Sequence, residues 1–184
     1  GKWTTFRAFG EQVTDEVLAF LGRPRIATTA DRPIGGGRNY PADGERLSAL
    51  LSREFPIGKA RADHLASTYG SRAFDVMAFC DGHPDDVPLS STSVMTLAEI
   101  LWLIRGEDVH HLADIVLRRT SLAITGQIDL EILDTLLTVM ARELAWSGEQ
   151  MLAERRQLID ELGTYYGVSV AMLQDRCTEK DKAS

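Results

Sequence analysis

Apolar residues recur three and four positions apart along most of this chain, the spacing that gathers them on one face of a helix. The pattern is organised around Ala98 to Thr120 (AEILWLIRGEDVHHLADIVLRRT). This stretch holds two apolar helical runs with a charged seam between them, and it ends in Arg118-Arg119. Thr96 and Glu99 predict a capping box, with a hydroxyl at the helix start and a carboxylate reaching back from three residues on. The first run extends to about Ile104. A break falls near Gly106, because glycine is costly inside a helix. The second run covers about Glu107 to Arg119, with Val109, Leu112, Ala113, Val116 and Leu117 inward.

The same reading extends in both directions. Residues 1–22 predict a short turn and a helix, with Thr4 or Thr5 as N-cap and Gly22 just past the end. Phe6, Phe9, Val13, Val17, Phe20 and Leu21 form its stripe. Residues 23–44 hold three prolines, a glycine triplet and no sustained period, which predicts an extended linker. Helices follow over Glu45 to Phe55, Gly58 to Tyr69 and Arg72 to Cys80. Pro56 stops the first, Gly70 the second, and Ser71 caps the third, with Phe74, Met77 and Ala78 inward. Residues 81–93 are a turn-rich loop. Asp129 caps a helix to about Ala145, with Leu133, Leu136, Leu137, Met140 and Leu144 inward. Ser147 and Gln150 form a second capping box for a helix to about Tyr165, with Met151, Leu152, Leu158, Ile159 and Leu162 inward. Residues 177–184 read as a disordered tail. No strand of useful length and no repeat emerges. The fold predicted is all-α, an irregular bundle of about six to eight helices with its body over 45–176.

Composition narrows this picture. A hydrophobic fraction of 44% and a charged fraction of 26% are those of an ordinary globular chain. The net charge of −7 argues against a nucleic-acid partner, which needs a basic surface. Cys80 and Cys177 lie far apart and form no metal spacing, so a reduced, cytoplasmic protein is expected, with Cys80 a small buried hydrophobe. No apolar run has the length of a membrane span. The chain opens at Gly1 inside GKWTT with no methionine, which suggests a piece of a longer protein.

Candidate chemistry is sparse. His110 and Asp114 share a helix face, but no third metal ligand is in spacing, so they read as surface polar residues and no metal site is assigned. Asp114 and Arg118 stand one turn apart and are expected to pair. The arginines read as a helix clamp, with Glu99 and Glu143 as candidate partners. The glycine triplet 35–37 lacks the strand and helix of a phosphate loop and reads as a flexible or tight-packing loop. No catalytic residue can be named. GKWTTFR differs: a turn leading into a helix N-terminus presents free N–H groups and a positive dipole end, to which Lys2 adds charge.

Several segments, in order, resemble the FAD-dependent glycerol-3-phosphate dehydrogenases. GKWTTFR resembles that family's GGK(W/L)TTYR, and RPIGGG its LPLPGG-like stretch. HLASTYGSRA (64–73) resembles HLxxRYGxxA, and the AEI to RRTSL run resembles the family's AEV to RRTRL segment. MARELAW (140–146) resembles MAxELGW, with Ala145 in place of glycine. The resemblance implies that residues 1–22 are the last turn and helix of a flavin-binding domain, 23–44 a linker, and 45–176 an α-helical C-terminal domain. It implies oxidation of sn-glycerol 3-phosphate to dihydroxyacetone phosphate, with electrons passing through FAD to quinone, or to oxygen as in the related oxidases. It places Gly1, Lys2, Trp3, Thr4 and Thr5 against the cofactor and Lys2 on the substrate. The partners implied are the chain's own FAD domain, the substrate and a quinone. A homodimer and a peripheral position on the inner face of the cytoplasmic membrane are compatible with it. The GxGxxG turn is absent, so the 184 residues alone are expected neither to hold FAD nor to turn over. The alternative from the residues alone is a free-standing helical interaction module.

Overall fold

The computed structural model describes residues 2–183, with the side chains of Trp3 and residues 179–183 outside that description. Its helices are α1 (Phe6–Phe20), α2 (Gly44–Glu54), α3 (Lys59–Tyr69), α4 (Ala73–Cys80), α5 (Leu97–Gly106), α6 (Leu130–Leu144), α7 (Gly148–Tyr166) and α8 (Val170–Ala183). A π-helical segment, Asp114–Arg119, lies between α5 and α6. Among the described residues an isolated antiparallel bridge, Pro88 to Thr96, is all the β-type pairing present. The expected all-α bundle is the observed one.

Local chemistry sets most of the boundaries. Asp43 accepts from the Glu45 N–H and starts α2, and Asp129 accepts from the Ile132 N–H at 2.8 Å and starts α6. The Ser147–Gln150 box closes in both directions, at 3.2 and 2.8 Å, and starts α7. Gly70 and Gly167 end α3 and α7 with positive φ. Ala145 does the same for α6, at φ +53°.

The body has two apolar centres with a common wall. One lies among α2, α3 and α4 and includes Leu51, Leu65 and Met77; the other joins α5, the π-helical segment, α6, α7 and α8 around Leu101, Ile115, Leu136 and Leu158. Helix α5 serves both, through Ala98 on one side and Ile100 and Leu101 on the other. Tyr69, Phe79 and Trp102 pack against each.

Several expectations are corrected. Residues 177–183, read as a disordered tail, lie in α8: Leu173 is fully buried, the Arg176 guanidinium donates to the Ile128 carbonyl at 2.9 Å, and the Glu, Lys and Ala that follow are good helix formers. The helix expected from Glu107 begins later, because Asp114 Oδ2 accepts from the N–H groups of His110 and His111 and fixes an N-terminus there. Ser71 does not cap α4; a 3-10 turn, Gly70–Arg72, leads into it, and the serine turns elsewhere. Ala78 and Leu152 face outward.

Candidate functional site

The N-terminal unit is built on α1 and the segment 23–34 that returns beside it. A 3-10 turn, Trp3–Thr5, runs straight into α1. Thr5 sits at the α1 N-cap position, yet its hydroxyl does not cap the helix as expected; it donates to the Lys2 carbonyl at 2.8 Å, which also accepts from the Thr5 N–H at 3.0 Å. Lys2 and Thr4 are exposed. Gly1 lies outside the described residues.

One turn along, Arg7 donates to the carbonyls of Thr29 and Arg32. Glu11 accepts from the Thr28 hydroxyl, from the Thr29 N–H at 2.7 Å and from Arg25 at 2.9 Å. The Thr28 hydroxyl first, then the Thr29 amide and Arg25, hold the Glu11 carboxyl far below its ordinary value, at about 2. These bonds strap 23–32 along the helix and leave a groove of about 870 Å³ lined by Phe6, Leu18, Ile26 and Ile34.

No residue of α1 is buried. Its expected inward stripe exists as a face, but that face is open: Phe9 is 65% exposed and Phe20 90%, with Phe6, Val13, Val17 and Leu21 also exposed. Five exposed large apolar side chains on one helix, with Leu21 at its C-cap, are far more than the scattered exposure usual on a soluble surface.

The glycine triplet fastens the linker to the body. Gly36, buried at φ +78°, lies against the backbone of Tyr69 and Gly70, itself at φ +56°. A Cβ on Gly36 would collide with the Tyr69 carbonyl, and a Cβ on Gly70 with the Gly36 carbonyl. That carbonyl accepts from both the Ser71 N–H at 2.9 Å and the Ser71 hydroxyl at 3.1 Å. The RPIGGG and TYGS motifs thus meet backbone to backbone. Of the two readings of the triplet, flexible or tight-packing, the second is the observed one.

A buried polar cluster locks α3 to α5. Glu99 is fully buried, and its Oε1 accepts from His64 Nε2 at 2.8 Å and from the Tyr69 hydroxyl at 2.7 Å. Burial, with Glu99 beside it, pushes the Tyr69 hydroxyl far up, which keeps it a donor. Arg61 pairs through two nitrogens with Asp86, again joining α3 to the loop before α5. This overturns the expected closed box at Thr96: the Thr96 hydroxyl accepts from the Glu99 N–H at 3.3 Å, but the Glu99 side chain turns to α3 instead of back to the cap.

The charged seam is structural as well. Asp114 pairs with Arg118 at 3.0 Å, as its spacing requires. Arg118 and Arg119 are exposed, however, and Arg119 meets Glu107 at 3.5 Å, so the expected clamp on Glu99 or Glu143 does not form. Glu143 is taken by Arg105 at 2.8 Å and by Arg142. His110 meets Asp108, and His111 meets Glu154 at 2.7 Å. Among the described residues no group of three or more histidines, cysteines or acids is placed to hold a metal, and no helix is long and apolar enough to cross a membrane.

The structure therefore defines a helical domain joined by a clamped linker to a helix with an open apolar face. Residues 27–151 match the family described as the C-terminal domain of alpha-glycerophosphate oxidase, and the chain belongs to that family. A glycerol-3-phosphate dehydrogenase from Synechocystis is 29% identical over 156 residues, covering 82% of this chain and 27% of that protein. The mitochondrial glycerol-3-phosphate dehydrogenase of mouse is 31% identical over 177 residues, covering 89% of this chain and 23% of the relative. The chain thus spans about a quarter of the length of these relatives. The fold is that of part of the glycerol-3-phosphate dehydrogenase from Bacillus halodurans, solved in complex with FAD: TM-score 0.71, 22% identity, covering 89% of this chain and 34% of that one.

The motifs that carry the family likeness are the ones that meet in space. HLASTYG supplies His64 and Tyr69 to Glu99 of the AEI segment, and RPIGGG docks on TYGS. The Glu99 cluster and the Gly36–Gly70 contact were not foreseen from spacing. For the first, the available signal was Glu99 on the apolar face of its helix, with Tyr69 on the inward face of another and His64 earlier on that same helix.

Proposed function

We propose that this chain is the C-terminal part of an FAD-dependent glycerol-3-phosphate dehydrogenase. The whole enzyme oxidises sn-glycerol 3-phosphate to dihydroxyacetone phosphate and passes the electrons through FAD to a quinone. Residues 1–22 are the last turn and helix of the flavin domain, 23–44 the linker, and the body from Glu45 a cap that supports that domain and performs no chemistry of its own. The observation that carries this reading is the open face of α1: a helix with five exposed large apolar residues and none buried needs a surface to pack on. The flavin domain of the same protein is that surface.

The turn fits an anionic or electron-rich group. The helical run that starts at Trp3 ends in no side-chain cap, and Lys2 is exposed beside it. Gly1, Lys2, Trp3, Thr4 and Thr5 lie against the flavin in this reading, and Lys2 neutralises the phosphorylated substrate. FAD, when bound, accepts the hydride taken from the substrate carbinol. The turn contributes positive potential at a fixed position, which favours negative charge there.

The test is the full-length protein. Its flavin absorbance should bleach on addition of sn-glycerol 3-phosphate; an unbleached flavin, or no flavin, sinks the reading. Lys2→Ala in that protein should raise KM for the substrate by about tenfold with a smaller change in kcat. Unchanged kinetics would remove Lys2 from the site. Quinone as acceptor is tested by adding a soluble quinone to the bleached flavin with oxygen excluded: the absorbance should return, and a flavin that stays bleached removes quinone from the reading. A quinone acceptor would bring the enzyme to the inner face of the cytoplasmic membrane as a peripheral protein.

A further inference from the structure

A second cleft, of about 830 Å³, lies between the loop 33–41 and helices α2 and α4. Three guanidinium side chains line it, those of Arg38, Arg46 and Arg72, against a single carboxylate, Asp75. Arg72 is held in place, over the Trp102 ring at 4.8 Å and donating to Glu107 at 3.3 Å. The guanidinia of Arg38 and Arg46 meet no hydrogen-bond or ion-pair partner among the described residues, and Asp75 pairs with neither; the Arg46 N–H is spent on the Asp43 carbonyl at 3.2 Å. Most other arginines of the molecule are engaged: Arg7, Arg25, Arg61, Arg105, Arg142 and Arg176 all have acceptors.

A lone solvated arginine would mean nothing, but the backbone around Arg38 is also unspent. The N–H groups of Gly35, Gly36, Arg38 and Asn39 donate to no protein group among the described residues. Gly36 and Asn39 are both left-handed, at φ +78° and +55°. Short loops with such residues turn backbone N–H groups together into anion-binding concavities. The cleft also has an apolar side, supplied by Leu50 and Phe74, both only partly buried.

We infer that this cleft binds a small phosphate monoester. The oxyanion sits on the Arg38 and Arg46 guanidinia and the loop N–H groups, and the organic part lies on Leu50 and Phe74. With Arg72 already on Glu107, two unpaired guanidinia face one carboxylate, a balance that attracts an oxyanion, and arginine forks match phosphate oxygens in pairs. The site uses none of residues 1–5 and does not depend on the redox reading.

The experiment is a titration of the isotope-labelled 184-residue chain with inorganic phosphate, followed through its amide resonances. Saturable shifts at Gly35, Gly36, Arg38 and Asn39 are expected. Arg38→Gln with Arg46→Gln should weaken binding by at least about tenfold, with helical circular dichroism unchanged because both side chains are exposed. Asp75→Asn should tighten it by removing the opposing charge. Shifts that do not saturate, that fall elsewhere, or that survive the double substitution overturn the site. A chain that ignores phosphate but co-sediments with phosphatidylglycerol vesicles overturns it too, and assigns the arginines to a lipid surface.

Discussion

Helices α1 and α6 are both fifteen residues long, and both carry an apolar stripe at helical spacing. In α6, Ile132, Leu133, Leu136, Leu137, Val139 and Met140 are all buried; in α1 nothing is. Periodicity predicts that a helix has a face to bury. It says nothing about which surface covers that face, or whether that surface belongs to the same stretch of chain. Under the proposed function, the difference between α1 and α6 is one of domain membership. Within these 184 residues α1 holds on by polar straps to 23–32, whereas α6 sits in the larger of the two apolar centres.

The widest separation between the two helices should come from truncating one residue in each. Leu136→Ala removes a fully buried side chain and should cost about 2–5 kcal/mol in a urea melt of this chain. Phe9→Ala, on a residue 65% exposed, should stay within about 0.5 kcal/mol. A large loss from Phe9→Ala would mean that α1 is packed within this chain, and the two-domain reading of its face would fail. In the full-length protein the order should change, with Phe9→Ala now costing stability or flavin retention.

The next effect tests the joint between the two regions. Gly70→Ala places a Cβ on a positive-φ residue and into the Gly36 carbonyl. A loss of about 1–3 kcal/mol is expected, together with faster amide exchange at Ser71, whose N–H the Gly36 carbonyl holds. Gly70→Ala that melts like the parent and leaves Ser71 protected would show that the linker is not clamped there. Ala145 offers the converse. It occupies a left-handed helix end at φ +53°, a conformation that glycine adopts without strain, and Ala145→Gly should raise stability by up to about 1 kcal/mol.

These cases also mark how far the sequence could be read. Caps and terminators made within a few residues were legible: Asp129, the Ser147–Gln150 box, Gly70 and Gly167 all act as their local chemistry requires. What escaped was decided by partners distant in the chain. Glu99 had a place in a cap, but His64 and Tyr69, both at least thirty residues away, offer it two donors inside the core. Ser71 had a helix to cap and instead donates to Gly36, thirty-five residues back. Arg118 and Arg119 were expected to need buried acids and instead reach the surface, so no desolvation forces such a pairing. The turn at residues 2–5 was visible as a helix start with a lysine, and the role proposed for it rests on the family likeness.

The smallest effects expected are two pH dependences of opposite sign, one in each region. In the N-terminal unit the Glu11 carboxyl is lowered from 4.5 to about 2, chiefly by the Thr28 hydroxyl. A lowered acid stabilises the folded form above its unfolded value, and that contribution is lost as pH falls toward about 2. In the helical body His111 is raised above 6.5, chiefly by its hydrogen bond to Glu154. A raised base stabilises fully below its unfolded value, and the contribution disappears as pH rises through the folded one. Both groups are solvent-accessible, so water and salt keep each effect small. Amide resonances separate them where a global melt cannot. Acid should move Thr29, whose N–H donates to Glu11, and leave Val168, whose N–H donates to the Leu162 carbonyl, in place; mild alkali should move Leu112, whose N–H donates to the Glu154 carboxylate that also pairs with His111, and leave Thr29 in place. If both move together at either end, the two regions unfold as one unit, and the contrast between an open helix on polar straps and a closed helical body is lost.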